Sequence, residues 1–385
     1  MTSRIPIVRP TLGDAEVDAA ARVIRSGWVT QGPEVAAFEQ EFAAAVGAEH
    51  AVAVSNCTVA LQLALLGAGV KAGDEVITVS HSFIATANAI VACGALPVFI
   101  DVERDTLGMD PALLEGAITP KTRAILCVHQ IGIPCDLRGI VDVASRHGIP
   151  VIEDAACAIG SEIEWDGAWE RIGRPRGSVA CFSLHPRKIV TTGDGGMLTT
   201  SDAELAARYR LLRQHAMTVP DTVRHHATDV VFEDYLEPAF NFRLTDLQAA
   251  IGRPQLARLD AIVAERRRLA DLYREALADH PLFAPPAERA WARSNWQSYP
   301  VFLRGDMGQV DAMRTLIGAG VACKRGISNA HQEIAYAAHP ETWKRGSDLA
   351  VSEWLRDHTI LLPLFHGMTA EEQERVIEAC YAPKA

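Results

Sequence analysis

Apolar and polar positions follow two different periods along this chain. DAEVDAAARVIRS (14–26) spaces its apolar residues at helical intervals, and EVAAFEQEFAAAVG (34–47) does so again before ending at Gly47. The Gly-, Thr- and Pro-punctuated GWVTQGP between them breaks the pattern, so two helices joined by a turn are predicted. From residue 51 onward, short apolar runs alternate with helical stretches. AVAVS (51–55), EVITVS (75–80), PVFID (97–101), TRAILCVHQ (122–130) and PVIED (150–154) are predicted strands. TVALQLALLGAG, ATANAIVACG and LRGIVDVASRHG are the helices between them. Strand and helix of this length, repeated, predict a mostly parallel sheet covered on both faces. SVACFSL and GGMLTT add two strands, and DAELAARYRLLRQ adds a helix.

Beyond these units the periodicity weakens. Residues 216–240 carry Thr, His, Asp and Pro without a clear repeat, and a long loop is expected there. From 244 a helical region runs through LTDLQAAIGRPQLARLDAIVAERRRLADLYREAL, with a bend expected near Gly252 and Pro254. QSYPVFL then predicts a strand and DMGQVDAMRTLIGAG a helix. A loop containing KRGISNAHQE and a closing helix, TAEEQERVIEAC, follow. The expected organisation is α/β, with a large domain over 1–250 and a small C-terminal α/β domain over 251–385.

Composition narrows the function classes. At 385 residues and 49% apolar, the chain can bury a sizeable core without staples. A net charge of −11 argues against nucleic acid as the main partner, though not against a small phosphorylated ligand. No apolar run is long enough for a membrane span, and MTSRIPIVRP lacks the apolar core of a secretory signal, so a cytoplasmic location is expected. The eight cysteines, at 57, 93, 127, 135, 157, 181, 323 and 380, include no C-x-x-C pair. Most lie in apolar strings and are expected to be buried free thiols.

Ligands of open parallel sheets sit at the carboxyl ends of the strands, and four signals fall at such ends. SNCT (55–58) joins a strand to a helix. Its backbone donors and the Thr58 hydroxyl can cradle a phosphate, or the turn can be a simple N-cap. Asp154 ends strand PVIED, where it can hold a pyridine nitrogen in its protonated form or cap the next helix. Lys188 lies in FSLHPRKIVTTGDGG (182–196), a turn-rich stretch between two strands. It is either a surface lysine or a desolvated Schiff-base nucleophile. Ser183 can donate to a phosphate, and GDGG supplies tight backbone turns. Phe83, in SHSFIATANAI, can stack on an aromatic ring or fill the core.

The order of these signals, together with FS-x-HP-x-K before TTGDGG, FIATANAI and NFRLTDLQAAIG, carries a family resemblance. The chain resembles the DegT/DnrJ/EryC1/StrS family of aminotransferases dependent on pyridoxal 5'-phosphate (PLP), from GWVTQGPEVAAFEQEFA through LPLFHGMTAEEQERVIEA. The resemblance implies the PLP-dependent transferase fold of the aspartate aminotransferase superfamily. It implies that Lys188 bonds the cofactor and shuttles a proton, and that Asp154 faces the pyridine nitrogen. Phe83 would stack on the ring, while Cys57, Thr58 and Ser183 would bind the phosphate. Asn241 matches an asparagine supplied by the neighbouring subunit, so a homodimer with shared active sites is expected. The implied reaction moves an amino group from glutamate or glutamine to a keto group on a nucleotide-linked sugar, or alternatively on a keto-cyclitol or other small ketone.

The sequence departs from the family pattern at named places. Cys57 replaces the usual glycine of the phosphate turn, and its Cβ would conflict with a positive φ. Cys157 stands where Gln or His is usual near the cofactor's 3'-oxygen, and a thiol is a weak donor. The family's dehydrating members carry His in place of the lysine, so Lys188 favours transamination. In the loop ACKRGISNAHQE, Lys324 and Arg325 can meet a diphosphate or a donor carboxylate, and can equally be a solvated pair. His331 matches a family histidine, but RGISNA replaces the aromatic-Pro pattern before it. His185 borders the substrate or shapes the turn. His129 and Gln130 follow a strand and can face the cofactor or the substrate. Trp165 and Trp169 belong to an insertion, EIEWDGAWERIGRPRG. No metal is expected at the adjacent His225 and His226.

Overall fold

The computed structural model describes residues 4–382. The strands are β1 (His50–Val54), β2 (Glu75–Val79), β3 (Leu96–Ile100), β4 (Thr122–Val128), β5 (Val151–Asp154), β6 (Glu162–Trp165), β7 (Ala168–Arg171), β8 (Val179–Ser183) and β9 (Gly196–Thr200). After these come β10 (Phe283–Ala284), β11 (Ala292–Arg293), β12 (Tyr299–Leu303), β13 (Lys324–Arg325), β14 (Lys344–Arg345) and β15 (Thr359–Leu362). Eight of them form the main sheet, in the order β1-β9-β8-β5-β4-β2-β3-β14. Every neighbour pair is parallel except β1–β9 and β8–β9, so β9 runs against the rest. Every residue of β2, β5 and β9 is buried. Burial of both faces explains why these strands read as apolar runs rather than as alternation.

The first two helices occupy Asp14–Ser26 and Pro33–Val46. Pro33 fits the first turn, where no amide hydrogen is needed, and Gly27 and Gly47 close the two helices at φ 78° and 76°. Helix Cys57–Gly67 packs on β5, β8 and β9, and helix Leu137–His147 packs on β4 and β5.

Four features differ from the expectation. The stretch 216–240 contains a short helix, Asp221–His226. The long helical region is broken at Ala257–Arg258, between helices Asp246–Leu256 and Leu259–Ala276, with Pro254 inside the first. Gly252 is a packing glycine, not a hinge. A Cβ there would come within 2.8 Å of Phe38 Cζ and of Thr192 Cγ2. The insertion at 162–171 is a hairpin. Asp166 and Gly167 both have positive φ (53° and 82°), as a type I′ turn requires, and β11 completes a three-stranded sheet with β6 and β7. Trp165 lies under two guanidinium groups, those of Arg138 and Arg176, at 4.3 and 4.9 Å.

The C-terminal region builds a separate antiparallel sheet, β10-β12-β15-β13. We propose that residues 251–385 form the small domain, although Lys344–Arg345 of that region joins the main sheet beside β3.

Candidate active site

The carboxyl ends of β2, β5 and β8 converge with the N-terminus of helix Cys57–Gly67. β5 delivers Asp154, which is buried. Thr86 Oγ1 donates to its Oδ2 at 2.8 Å, and the Ala156 amide donates to Oδ1 at 3.2 Å. The Ser82 hydroxyl lies 2.8 Å from Thr86 Oγ1 and holds that side chain in place. Burial raises the Asp154 carboxyl above its ordinary value, and the Thr86 and Ala156 bonds and the Lys188 charge only partly offset it. The site therefore favours a cationic partner for this carboxylate.

Lys188 sits in a tight turn, its amide donating to the His185 carbonyl at 2.8 Å. Its Nζ donates to Cys157 Sγ at 2.9 Å. Burial pulls the ammonium pKa down. The field and hydrogen bond of Cys157, with the fields of Cys57 and Asp154, overcome that pull and leave it above the usual lysine value. Amine, thiol and carboxylate thus form one electrostatic unit. Asn295 shapes it from below, its Nδ2 donating to the carbonyls of Cys157 and Ile159 at 2.8 Å each.

The oxyanion cradle is built by strand register. Asn56 caps its helix by accepting from the Val59 amide at 3.0 Å, and the first-turn amides after it have no partner within the helix. Cys57 is buried and Thr58 exposed. Cys57 is the first helical residue and is absent from the positive-φ positions, so its Cβ causes no conflict. Gly196 pairs with Val54 on one side and Ser183 on the other, which brings Ser183 beside the turn. A Cβ on Gly196 would lie 2.5 Å from the Asn56 carbonyl group and 2.8 Å from the Cys57 nitrogen. Only glycine lets β9 pass this close. Phe83 lies just beyond β2 and is 75% exposed, free to cover a planar group.

The remaining candidates sit differently. Asn241 is exposed, and its Oδ1 accepts from the Arg243 amide at 3.3 Å. His185 shapes the turn, its Nδ1 accepting from the Arg187 amide at 3.2 Å. Arg325 pairs with Glu333 at 3.1 Å, while Lys324 is exposed. His331 is buried with both ring nitrogens engaged. Ser80 Oγ accepts from the His331 amide at 3.0 Å and lies 2.6 Å from Nδ1; Nε2 lies 3.2 Å from Glu353 Oε1. The ring ties the C-terminal loop to the end of β2. His129 and Gln130 are also buried: His129 meets Glu153 at 3.2 Å and Gln130 Nε2 donates to the His81 carbonyl. Thr86, Gly196 and Asn295 were not singled out from the sequence. Thr86 lies within FIATANAI and Gly196 ends GDGG, so the motifs held them, but their contacts depend on the fold.

All eight cysteines are free thiols, and no helix among the described residues is long and apolar enough to cross a membrane.

The donor set fits PLP. A buried carboxylate that favours a cation suits the pyridine nitrogen, an adjacent amine suits the aldehyde, and a helix N-terminus flanked by Ser183 and the Cβ-free Gly196 suits the phosphate. The model of the DegT/DnrJ/EryC1/StrS aminotransferase family matches residues 10–381. The spore coat polysaccharide biosynthesis protein SpsC of Bacillus subtilis (strain 168) is 36% identical over 379 residues, covering 97% of this chain and 96% of SpsC. Among solved structures, DesV of S. venezuelae is 34% identical with a TM-score of 0.87, covering 98% of each chain. The PMP form of Spr1654 from Streptococcus pneumoniae is 26% identical with a TM-score of 0.90, again covering 98% of each. The chain belongs to the DegT/DnrJ/EryC1/StrS aminotransferase family and is a PLP-dependent aminotransferase.

Proposed function

We propose that this enzyme moves an amino group from glutamate or glutamine to a keto group of a nucleotide-linked sugar, with Lys188 as the covalent anchor of the cofactor. The observation that carries the reading is the single electrostatic unit of Lys188, Cys157 and Asp154 beside an oxyanion cradle. The sugar acceptor is supported by SpsC, whose name assigns it to polysaccharide biosynthesis.

Bound PLP supplies an electron sink for the carbon that loses or gains a proton. The chain's own residues do the rest. Asp154, ionised and held by Thr86 and the Ala156 amide, keeps the pyridine nitrogen protonated. Lys188, once its amine is free, takes and returns the proton at the substrate carbon. The amides of the first turn, Thr58 and Ser183 would hold the phosphate, and Phe83 would cover the ring. Asn295 holds the Cys157 loop in register.

We also propose a cytoplasmic homodimer with shared active sites. The segment before Asn241 exposes Val230, Phe232, Tyr235, Leu236 and Phe240 together, an apolar surface that a second copy would cover. Free thiols throughout suit a reducing compartment.

Purified enzyme loaded with PLP, given glutamate or glutamine and a panel of nucleotide-linked keto-sugars, tests the reading by mass detection of an aminated sugar. Amination of a keto-cyclitol or other small ketone, with none of a nucleotide-linked sugar, would overturn the acceptor assignment.

A further inference from the structure

Six of the eight cysteines are buried, while Cys93 and Cys157 are partly open. Cys93 Sγ donates to the Gln62 carbonyl at 3.8 Å, and burial pushes its thiol up to about 11. Cys157 differs in kind. Its Sγ accepts from the Lys188 ammonium at 2.9 Å, which puts a nitrogen in contact with the sulfur. A cation beside a partly open sulfur is the setting in which cysteine is oxidised selectively.

Backbone holds this contact in place, and one segment fixes both turns that carry it. Asn295 Nδ2 donates to the Cys157 carbonyl at 2.8 Å. Gln297 Nε2 donates to the carbonyl of Arg187, the residue before Lys188, also at 2.8 Å. The Gln297 amide donates to Asn295 Oδ1 at 2.8 Å, so the two clamps are tied to each other. Inside the turns, the Ala158 amide donates to the Ala155 carbonyl and the Lys188 amide to the His185 carbonyl, each at 2.8 Å. Sulfur and nitrogen therefore face each other from two anchored turns. Neither Gln nor His, usual at position 157 in the family, offers the chemistry that this pairing allows.

We propose that Cys157 and Lys188 form an oxidisable pair: a peroxide joins sulfur to nitrogen and closes the point at which the cofactor attaches, and a thiol reopens it. Hydrogen peroxide first gives one oxygen to the sulfur. The Sγ–H becomes Sγ–OH and one water leaves, the sulfur being oxidised and the peroxide reduced. The Lys188 amine then attacks that sulfur. The hydroxyl leaves with a proton from nitrogen as a second water, and an Sγ–Nζ bond remains. A dithiol returns the free thiol and amine and is itself oxidised to a disulfide. The first step prepares the second. Burial pulls the Lys188 ammonium pKa down, and Cys157 is the largest influence holding it up. Conversion of the sulfur to an uncharged sulfenic acid removes that influence and leaves more of the nitrogen neutral and able to attack.

The consequence for the cofactor rests on Lys188 being its anchor; the link itself does not. Full-length enzyme, PLP-loaded or freed of cofactor, is treated with hydrogen peroxide, digested without reductant and mapped by mass spectrometry. A second portion is offered fresh PLP and followed by visible absorption. Cofactor-free wild type should yield a peptide pair joined through Cys157 and Lys188, lighter by two hydrogen atoms than its parts. The pair should be absent from the loaded enzyme, from Cys157→Ser and from samples treated with dithiothreitol. PLP uptake should fall in proportion to the linked fraction and return with dithiothreitol. In Cys157→Ser, uptake after peroxide should match that variant's own untreated sample. Cys157 recovered unlinked to Lys188, whether as thiol, sulfinic acid or a disulfide with Cys57, would overturn the inference and leave the Lys188 reading standing. A link formed equally in the loaded enzyme, or linked protein that still takes up PLP, would sink the Lys188 reading and the inference with it.

Discussion

Lys188 Nζ and Cys157 Sγ lie 2.9 Å apart, and this contact is one of the influences that hold the lysine pKa up against burial. Burial alone would lower the lysine pKa, yet the surrounding thiols and Asp154 reverse the sign and keep the ammonium protonated. Removing the sulfur in Cys157→Ala leaves burial as the dominant influence, so more of the amine is neutral at a given pH. Each unit by which the pKa falls gives about tenfold more neutral amine. Apo Cys157→Ala should therefore take up PLP faster than wild type at neutral pH, with the difference shrinking as pH rises. Stopped-flow growth of the visible band between pH 6.5 and 9 measures it; equal rates would show that Cys157 does not control the amine.

Asp154 is predicted to matter to chemistry far more than to folding. Asp154→Asn keeps the shape and the Thr86 contact but loses the charge. Amination should fall by about 10²-fold or more, with thermal stability equal to or above wild type. Burial makes the ionised form costly, which is why the neutral amide does not destabilise. Activity assays alongside calorimetric melting would separate the two effects.

Gly196→Ala tests the cradle. The new Cβ would press against backbone at Asn56 and Cys57, not against a flexible side chain. The turn must shift or β9 must move away, at a cost of about 1–3 kcal/mol. The expected outcome is a lower melting temperature and weaker PLP binding, both read by thermal unfolding with and without cofactor. The same substitution at Gly69, where nothing lies within 4 Å, should leave PLP affinity unchanged.

His81 sets an acid limit on stability. Its ring is buried, and that burial pushes its pKa down to about 4 from an ordinary 6.5. Asn329 Nδ2 donates to Gln332 and to Ser352, which leaves Oδ1 to accept from His81 Nδ1 at 2.8 Å. Between pH 6.5 and 4 the unfolded chain binds a proton that the folded chain refuses. The contribution of His81 to stability is complete above pH 6.5 and is lost progressively as pH falls toward 4, on the order of 3 kcal/mol in all. Chemical denaturation of wild type and His81→Gln across this window should show a shallower acid loss in the variant.

Much of the sheet was legible because its strands are buried on both faces and separated by helices with Gly or Asp at their ends. Asp154, Cys57 and Ser183 stand at or beside strand ends and Lys188 follows β8 in the next turn, so a sheet with parallel β5 and β8 places these motif residues on one side. Long-range contacts were not legible. Nothing local to Gly252 shows that Phe38 and Thr192 press on it, and a glycine and a proline two residues apart suggested a bend that the helix takes a few residues later, at 257–258. The sequence offers His331 for a substrate contact but not its partners Ser80 and Glu353, which the fold brings to its two ring nitrogens. Arg325 looked equivalent to Lys324 until the fold supplied Glu333. The hairpin at 162–171 was the avoidable omission, since Asp166-Gly167 between β-favouring residues is a strong local signal.

The most direct test is chemical trapping of the cofactor. Enzyme loaded with PLP is reduced with borohydride, digested and mapped by mass spectrometry. The account predicts a phosphopyridoxyl adduct on Lys188 and none in Lys188→Ala. An adduct on a different lysine, or none on a protein that shows the visible band of bound cofactor, would contradict it.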